Sequence, residues 1–555
     1  MSGSIRSAGT MGEPAGSPSP RFAWWLAACI SLYVVHAFIA LPLAGLQYDE
    51  LLHLQPIIPP VRIFGTMRFG DFVVPSMLLP YLGCLKTWLI WPLLQVTEPS
   101  TAAVRVPSII LGASALGVTL IVLRRIAGTT VAWLVGLLAA LDSTFVFCTT
   151  YDWGPAGLQL LLVGAAAMAV ARFHETRGTV WAAVFGLCVG LAIWNKALSI
   201  WLIAAFGLVL LLFAPRLLSH WLRFRPLAAA ALCFLLGAFP FLAWNKKMHF
   251  SHLGGNRGFS LDGLVEKPGS AWTSFDGSLF LGYLVRETMP EERGPASAEA
   301  PWLEALRAEG WRMGNGIPFA LLLALPVGFW LLHGVRRRIW LAALLALGAV
   351  LFQMMITIGA GTGMHHYVLL FPLPFVVIAM PLVALAEGPG FRKRVAVAAS
   401  AAILGWSAFA LYACFGALRS WGATPIWSTA IADLAPVLRK AGAEKVFALD
   451  WGIDSQLRYY LWPHGLADLG WEFLDTATMP ENIRELHLAR LRSPNVFYVV
   501  FEARHEVRPS YVEEFRAFAT REGFAEETVG LVPDAWGVPI YRILRYRLQA
   551  DLAAP

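Results

Sequence analysis

Eleven apolar runs of about membrane-spanning length fill the first 416 residues, at about 22–44, 103–123, 130–148, 155–171, 179–194, 198–214, 227–244, 315–333, 339–358, 366–386 and 395–416. A run of ~20 apolar residues is what a helix needs to cross the hydrocarbon core while closing all its own backbone hydrogen bonds. Only 14% of residues are charged, against about 25% in a soluble domain. Together these exclude a soluble globular protein. Long runs, not alternating ten-residue strands, exclude a β-barrel. The expected fold class is an α-helical polytopic membrane protein with about eleven transmembrane helices. The first run has 23 residues and no A-x-A-like cleavage site follows it, so it reads as a retained signal anchor. The Gly-, Ser- and Pro-rich stretch 1–21 before it reads as a disordered cytoplasmic N-terminus.

Charge fixes an orientation. Arg124 and Arg125, Arg172 and Arg177, Arg216, Arg223 and Arg225, Arg336 to Arg338, and Arg392 to Arg394 each fall between apolar runs. With the N-terminus cytoplasmic, all five clusters lie inside, as the positive-inside rule asks. The net charge of +7 is thereby accounted for without a nucleic-acid partner. The apolar stretch 72–96 is set aside as a re-entrant or juxtamembrane element on the outer side. It holds three prolines and Lys86, and counting it as a span would place every basic cluster outside. Outer loops are then expected at 45–102 and 245–314 within a membrane domain of 22–420. A small extracytoplasmic α/β domain is expected over 421–555. In that tail "EKVFALDWG" (444–452) and "NVFYVVFEA" (495–503) read as buried strands. "PSYVEEFRAFATRE" (509–522) reads as an amphipathic helix with Ser510 as its N-cap. The six cysteines sit in apolar segments at unrelated spacings and suggest neither disulfides nor a zinc site.

On the outer side the sequence places chemistry. "LAGLQYDELLHLQ" (43–55) follows the first run with Asp49, Glu50 and His53. An acidic pair can simply end a helix. Two adjacent carboxylates also repel, which raises one pKa toward the range of a general base. Asp152, in "CTTYDWGPAGLQ" (148–159), either caps the fourth run or joins Asp49 on the same membrane face. Lys86, Arg105, Lys196, His365 and His366 fall on that face too. The lysines and arginines there either snorkel or hold the phosphate of a lipid substrate while a carboxylate moves a proton. Lys196 is the hardest to dismiss, because its turn joins two apolar helices within a few residues.

This ordered set resembles the GT-C membrane glycosyltransferases: an acidic pair after the first span, "RVPS" opening the second, an Asp before the fourth, and a Lys between the fifth and sixth. It is most similar to the bacterial family 39-like enzymes, related to protein O-mannosyltransferases and to the aminoarabinose transferases of lipid A. The resemblance covers residues 22 to about 420. It implies a polyprenyl-phosphate-linked hexose or pentose as donor and a glycan, lipid or protein hydroxyl as acceptor, with attack inverting the anomeric carbon. It further implies Asp49 as the base, with Glu50 and Asp152 shaping the site. Lys86, Arg105 and Lys196 would be candidates for the lipid phosphate, with His53, His365 and His366 near the substrate. No cofactor is implied with certainty; a divalent metal is left open, since relatives using diphosphate donors hold one with such acids. "LLHLQPIIPP" after the acidic pair departs from the Tyr-, Ala- and Glu-rich helix of the aminoarabinose transferases, so their acceptor is not implied.

Two other readings remain. Acids and cations near a membrane also mark transport pathways, which makes a flippase of lipid-linked sugars the main alternative, although no inverted repeat is visible. The third is a structural membrane protein whose C-terminal domain binds a partner.

Overall fold

The computed structural model describes residues 20–58, 64–249, 258–286, 301–361, 363–465 and 479–549. Of the stretch expected to be disordered, Pro20 and Arg21 open the first helix and the rest lies outside the described residues.

Helix α1 (Pro20–Ala40) is followed by one short turn, α2 (Tyr48–Leu51), and by α3 (Leu85–Leu94). Then come α4 (Thr101–Ala127), α5 (Thr129–Leu141), α6 (Ser143–Thr150), α7 (Ala156–Thr176), α8 (Thr179–Asn195), α9 (Ser199–Phe213), α10 (Pro215–Trp221) and α11 (Phe224–Lys247). Four short helices follow: α12 (Gly263–Glu266), α13 (Pro268–Phe275), α14 (Ser278–Leu284) and α15 (Pro301–Ala308). The bundle is completed by α16 (Ile317–Leu331), α17 (Gly334–Ile356), α18 (Met364–Tyr367), α19 (Leu373–Ala386) and α20 (Gly390–Ser420).

Each apolar run coincides with a helix, but the helices are unequal. Among the described residues six are long and apolar enough to cross a membrane alone: α1, α4, α7, α11, α17 and α20. Two bent pairs, α5 with α6 at 67° and α9 with α10 at 115°, raise that to eight, beside the eleven expected. Helices α8, α16 and α19 are shorter apolar elements. The break between α5 and α6 has a local cause. The Asp142 carboxylate accepts the Phe145 N–H at 2.7 Å and caps α6 in mid-run. Helices α8 and α11 pack backbone to backbone: a Cβ on Gly186 would lie 2.0 Å from the Ala230 carbonyl oxygen, and one on Gly190 2.3 Å from that of Phe234.

The basic clusters share one end of this bundle. Arg125, closing α4, meets Glu175 near the end of α7 at 2.5 Å, and Arg336 in the first turn of α17 pairs with Glu387 just past α19. Asp49, Asp152 and Lys196 lie at the other end.

The segment 72–96, expected as a re-entrant or juxtamembrane element, forms no single long helix but breaks into strands and a ten-residue helix. Its first half forms strands β2 (Phe72–Leu79) and β3 (Leu82–Gly83), which with β1 (Gly65–Phe69) make a three-stranded antiparallel sheet; α3 is its second half. Short apolar runs do not distinguish a strand from a helix by composition, and here the tight turns at Gly70 and Tyr81 decide.

The C-terminal unit is a four-stranded sheet in the order β4 (Lys445–Ala448), β5 (Val496–Phe501), β7 (Pro539–Leu548), β6 (Phe524–Pro533). The two strands read from sequence are neighbours and parallel, Val446 opposite Phe497. Alternate residues feed two cores. Val446, Ala448, Phe497, Val499 and Phe501 join one, and Phe447, Tyr498 and Val500 join the other. Helices α21 (Leu434–Lys440) and α22 (Asp454–Leu461) cover the first face, and α23 (Glu481–Arg492) and α24 (Pro509–Arg521) cover the second. Ser510 is not the N-cap of α24. Arg508 holds that position, and Pro509 starts the helix, where its missing N–H costs nothing.

Candidate active site

The segment after α1 is held by its own sequence before anything else touches it. Gln47 and Glu50 form a capping box: the Gln47 side-chain oxygen accepts the Asp49 N–H at 2.7 Å, and Glu50 Oε1 accepts the Gln47 N–H at 2.9 Å. Both Glu50 oxygens then take Arg105, from Nε and from Nη2, each at 2.7 Å. Arg105 also donates to the carbonyls of Leu41 at 2.6 Å, Ala44 at 2.8 Å and Gly45 at 2.7 Å. Its guanidinium lies 3.9 Å over the Tyr151 ring. All five of its N–H donors are thus committed. Arg105, a phosphate candidate on sequence grounds, has none left for a phosphate, and Glu50 is bound up in the same pair. The two side chains, both buried, are the frame that sets where Asp49 stands.

Asp49 is the acid left accessible. Glu50 and Asp152 are each 1% exposed, whereas Asp49 is partly open. Its carboxylate accepts the Trp153 indole N–H at 2.6 Å. Burial nevertheless raises its pKa above the ordinary carboxylate value, opposed by the Trp153 hydrogen bond and the charge of Lys196. One residue away, Asp152 pairs with Lys86, which also donates to Ser108 at 3.3 Å; the second Asp152 oxygen accepts the Gly157 N–H at 3.1 Å in the first turn of α7. Pro155, not Asp152, is the N-cap of α7, but the carboxylate still reaches the first turn of that helix. It supports the helix, and it belongs to the cluster around Asp49.

Lys196, in the turn between α8 and α9, is buried but donates only to the Gly154 carbonyl, at 3.3 Å, among the described residues. Burial pulls its pKa down to about 8, against the raising effect of Asp49. Gly154 takes a left-handed φ of 74°, and a Cβ there would lie 2.7 Å from Lys196 Nζ and 3.2 Å from the His365 ring. His365 packs on Trp153, with centroids 5.1 Å apart, and its buried Nδ1 has no hydrogen-bond partner among the described residues. His366 turns away, accepting the Gly361 N–H at 3.2 Å and facing Trp201. His53 is fully buried with neither ring nitrogen bonded among the described residues, and burial with Lys86 and Lys196 holds it neutral. Unpaired buried nitrogens are costly, so His53 has unused capacity toward a polar group in this space.

Three contributors were not singled out in the sequence. Trp153 orients Asp49, and Tyr283 of α14 stacks on Trp153 at 5.0 Å and 15°. The third is the C-terminal domain, which clasps the Asp49 segment from outside. Trp451 packs on Tyr48 at 5.4 Å, Gln55 donates to Ser455 at 2.7 Å, and Arg458 of α22 donates to the Ile58 carbonyl at 3.1 Å. Trp153 and the Q-x-x-E capping box were visible in the sequence next to the acids. Nothing local could have announced Tyr283 or α22, which arrive from far along the chain. Among the described residues no three His, Cys, Asp or Glu side chains gather as a metal site. Glu50 and Asp152 are already spent on Arg105 and Lys86.

Residues 83–244 match the Dolichyl-phosphate-mannose-protein mannosyltransferase family, a stretch that holds Lys86, Arg105, Asp152 and Lys196 but not Asp49. No curated protein matches the sequence. Among solved structures, ArnT from Cupriavidus metallidurans bound to undecaprenyl phosphate is similar in fold, with TM-score 0.55 and 15% identity over 97% of this chain and 100% of that one. Its apo state gives 0.52 and 16% over 96% and 99%. The fold is thus that of ArnT along nearly its whole length. The family match over residues 83–244 and this fold both point to one class, the GT-C membrane glycosyltransferases. Residues 83–244, the stretch similar to the mannosyltransferases, thus lie within a fold similar to that of ArnT.

Proposed function

We propose that this protein transfers a sugar from a polyprenyl-phosphate donor to an acceptor hydroxyl at the outer face of a bacterial inner membrane. The N-terminus is then cytoplasmic and the C-terminal domain extracytoplasmic. The reading rests chiefly on one juxtaposition: the accessible, desolvated carboxylate of Asp49 and the under-used ammonium of Lys196 both meet the turn Trp153–Gly154, through adjacent residues. The undecaprenyl phosphate bound by ArnT supports a lipid phosphate as the anionic partner. The gathering of basic clusters at the opposite end of the bundle supports the orientation.

In the proposed reaction Asp49 takes the proton of the acceptor hydroxyl as its oxygen attacks the anomeric carbon. The carbon–oxygen bond to the phosphate breaks on the far side, so the configuration inverts. The bonding pair leaves with polyprenyl phosphate, whose growing charge Lys196 neutralises. Asp49 then loses its proton to solvent.

The pH dependence of kcat/KM tests these roles. Asp49 must be ionised, so the rate climbs with pH through a pKa held above the usual carboxylate range. Lys196 must be protonated, so the rate falls as pH rises past about 8. A bell with its alkaline limb near that value is expected. Lys196→Arg should move that limb upward, because a guanidinium keeps its proton. An alkaline limb that stays in place in this variant would remove Lys196 from the mechanism.

A second expectation concerns the turn. In Gly154→Ala the added Cβ meets Lys196 Nζ, and an L-residue at this φ costs ~1–2 kcal/mol. Both the melting temperature and the affinity for the lipid donor should fall. A variant with both unchanged would show that the turn does not hold Lys196 in place.

A further inference from the structure

The end of the bundle away from Asp49 carries a cavity rimmed by basic side chains. Helix α7 runs 21 residues from the Asp152 turn, so its far end stands ~30 Å from the site. There a cavity of about 370 Å³ lies between the α7–α8 connection and the start of α11. Arg177, Arg223, Arg225 and His220 line it, over the buried Phe173 and Pro226.

Basic residues at this end are expected for orientation alone, so the question is what sets these apart. Several of the others have found partners. Arg125 and Arg172 share Glu175, Arg336 holds Glu387, Arg337 lies over Phe329, and Arg392 lies over Trp330. Arg177, Arg223 and Arg225 have neither a carboxylate nor a ring partner among the described residues. The sequence offers them little: Glu175 is the only acid between residues 173 and 261, and it is already shared. Three unneutralised guanidinium groups around one concavity make a site of strong positive potential with forked donors, the arrangement suited to a phosphate.

The surroundings are those of a membrane surface. Helix α10 turns 115° from α9, so it lies across the bundle instead of along it. Beside the arginines, Phe224 is 84% and Leu222 60% exposed, an apolar collar where acyl chains would run. Trp221 is buried beneath, 4.3 Å from Phe173 and 4.9 Å from Phe185 between ring centroids, so the floor is rigid. His220 donates from Nδ1 to the Arg216 carbonyl at 2.6 Å, which fixes its ring beside the arginines.

We infer that this cavity binds the headgroup phosphate of an anionic glycerophospholipid from the leaflet opposite the active site. The arginines would take the phosphate and the collar of Phe224 and Leu222 the upper acyl chains. Basic pockets between transmembrane helices are suited to such headgroups, and each basic residue near an anionic surface is worth about 1 kcal/mol, roughly fivefold in affinity.

The full-length protein in phosphatidylcholine nanodiscs, titrated with phosphatidylglycerol, provides the test, with bound lipid counted by native mass spectrometry after release. Saturable retention of phosphatidylglycerol is expected, about 25-fold weaker in Arg223→Gln/Arg225→Gln by the per-residue figure above. In the wild type the retention should weaken as salt is added, a measurement that stands even if the variant fails to fold. Retention that is unsaturable, insensitive to salt, or equal in a folded variant would overturn the inference. Inorganic phosphate displacing phosphatidylglycerol at equal concentration would overturn it in favour of a soluble anion. Undecaprenyl phosphate displacing it at a far lower concentration would overturn it in favour of the carrier lipid.

Discussion

Asp49→Asn is expected to lower the rate of sugar transfer by ~10²–10⁴, the usual contribution of a positioned general base, with little change in fold or donor binding. The asparagine carbonyl can still accept the Trp153 N–H that now goes to Asp49 at 2.6 Å. Its amide is close in size to the carboxylate, and the capping box uses only the backbone N–H of residue 49. What disappears is the proton acceptor. Lys196→Met should behave differently, weakening retention of the lipid donor more than the chemistry, since it removes a cation and leaves the base. If Asp49 were only a helix-edge acid, Asn would serve as well and turnover would barely move. A loss confined to Asp152→Asn would move the base to the acid paired with Lys86. Turnover and melting temperature measured on the same preparations separate these cases.

The second large effect is expected at Arg105 and falls on stability. Arg105→Met strands the Glu50 carboxylate at 1% exposure and releases the carbonyls of Leu41, Ala44 and Gly45. Breaking one partner of a buried pair typically costs ~3–5 kcal/mol, so a steep loss of melting temperature in detergent is expected. Removing both charges, as in Glu50→Leu/Arg105→Met, should recover part of that loss, because no unpaired charge then remains buried. A single variant that melts like the wild type would mean the pair is not the frame described. For the same reason Glu50→Gln is expected to act through folding, by leaving the Arg105 charge uncompensated, and not as a milder version of Asp49→Asn.

The contrast between these two sites shows what a sequence of this kind discloses. Charge segregation put the basic clusters at one end of the bundle and Asp49, Asp152 and Lys196 at the other, because where apolar runs end is a one-dimensional property. The strands at 445–448 and 496–501 were legible for the same reason, as short β-branched and aromatic runs between breakers. Whether a cation has donors to spare is a different matter. Arg105 and Lys196 look alike along the chain, both at helix ends on the same face. Only tertiary contacts use up the first and leave the second with one 3.3 Å bond. The sheet over 65–83 escaped because apolar content does not separate a hairpin from a helix. The part played by α22 and Trp451 over the Asp49 segment joins residues some 400 positions apart in sequence, which no local pattern encodes. Ser510 lost its expected capping role to Arg508 for a purely local reason, because Pro509 already starts the helix.

Whether the purified protein consumes a lipid-linked sugar decides between an enzyme and a flippase. In detergent there is no second compartment, so a flippase has nothing to do there and any change in the donor is chemistry. The full-length protein would be incubated with a panel of polyprenyl-phosphate hexoses and pentoses and an envelope extract as acceptor, and free polyprenyl phosphate would be followed by mass spectrometry. A sugar transferase with Asp49 as its base should give release from at least one donor, dependent on the extract and abolished in folded Asp49→Asn. Release that is unchanged in that variant, or no release from any donor while reconstituted vesicles still move the lipid-linked sugar across the bilayer, would contradict that reading.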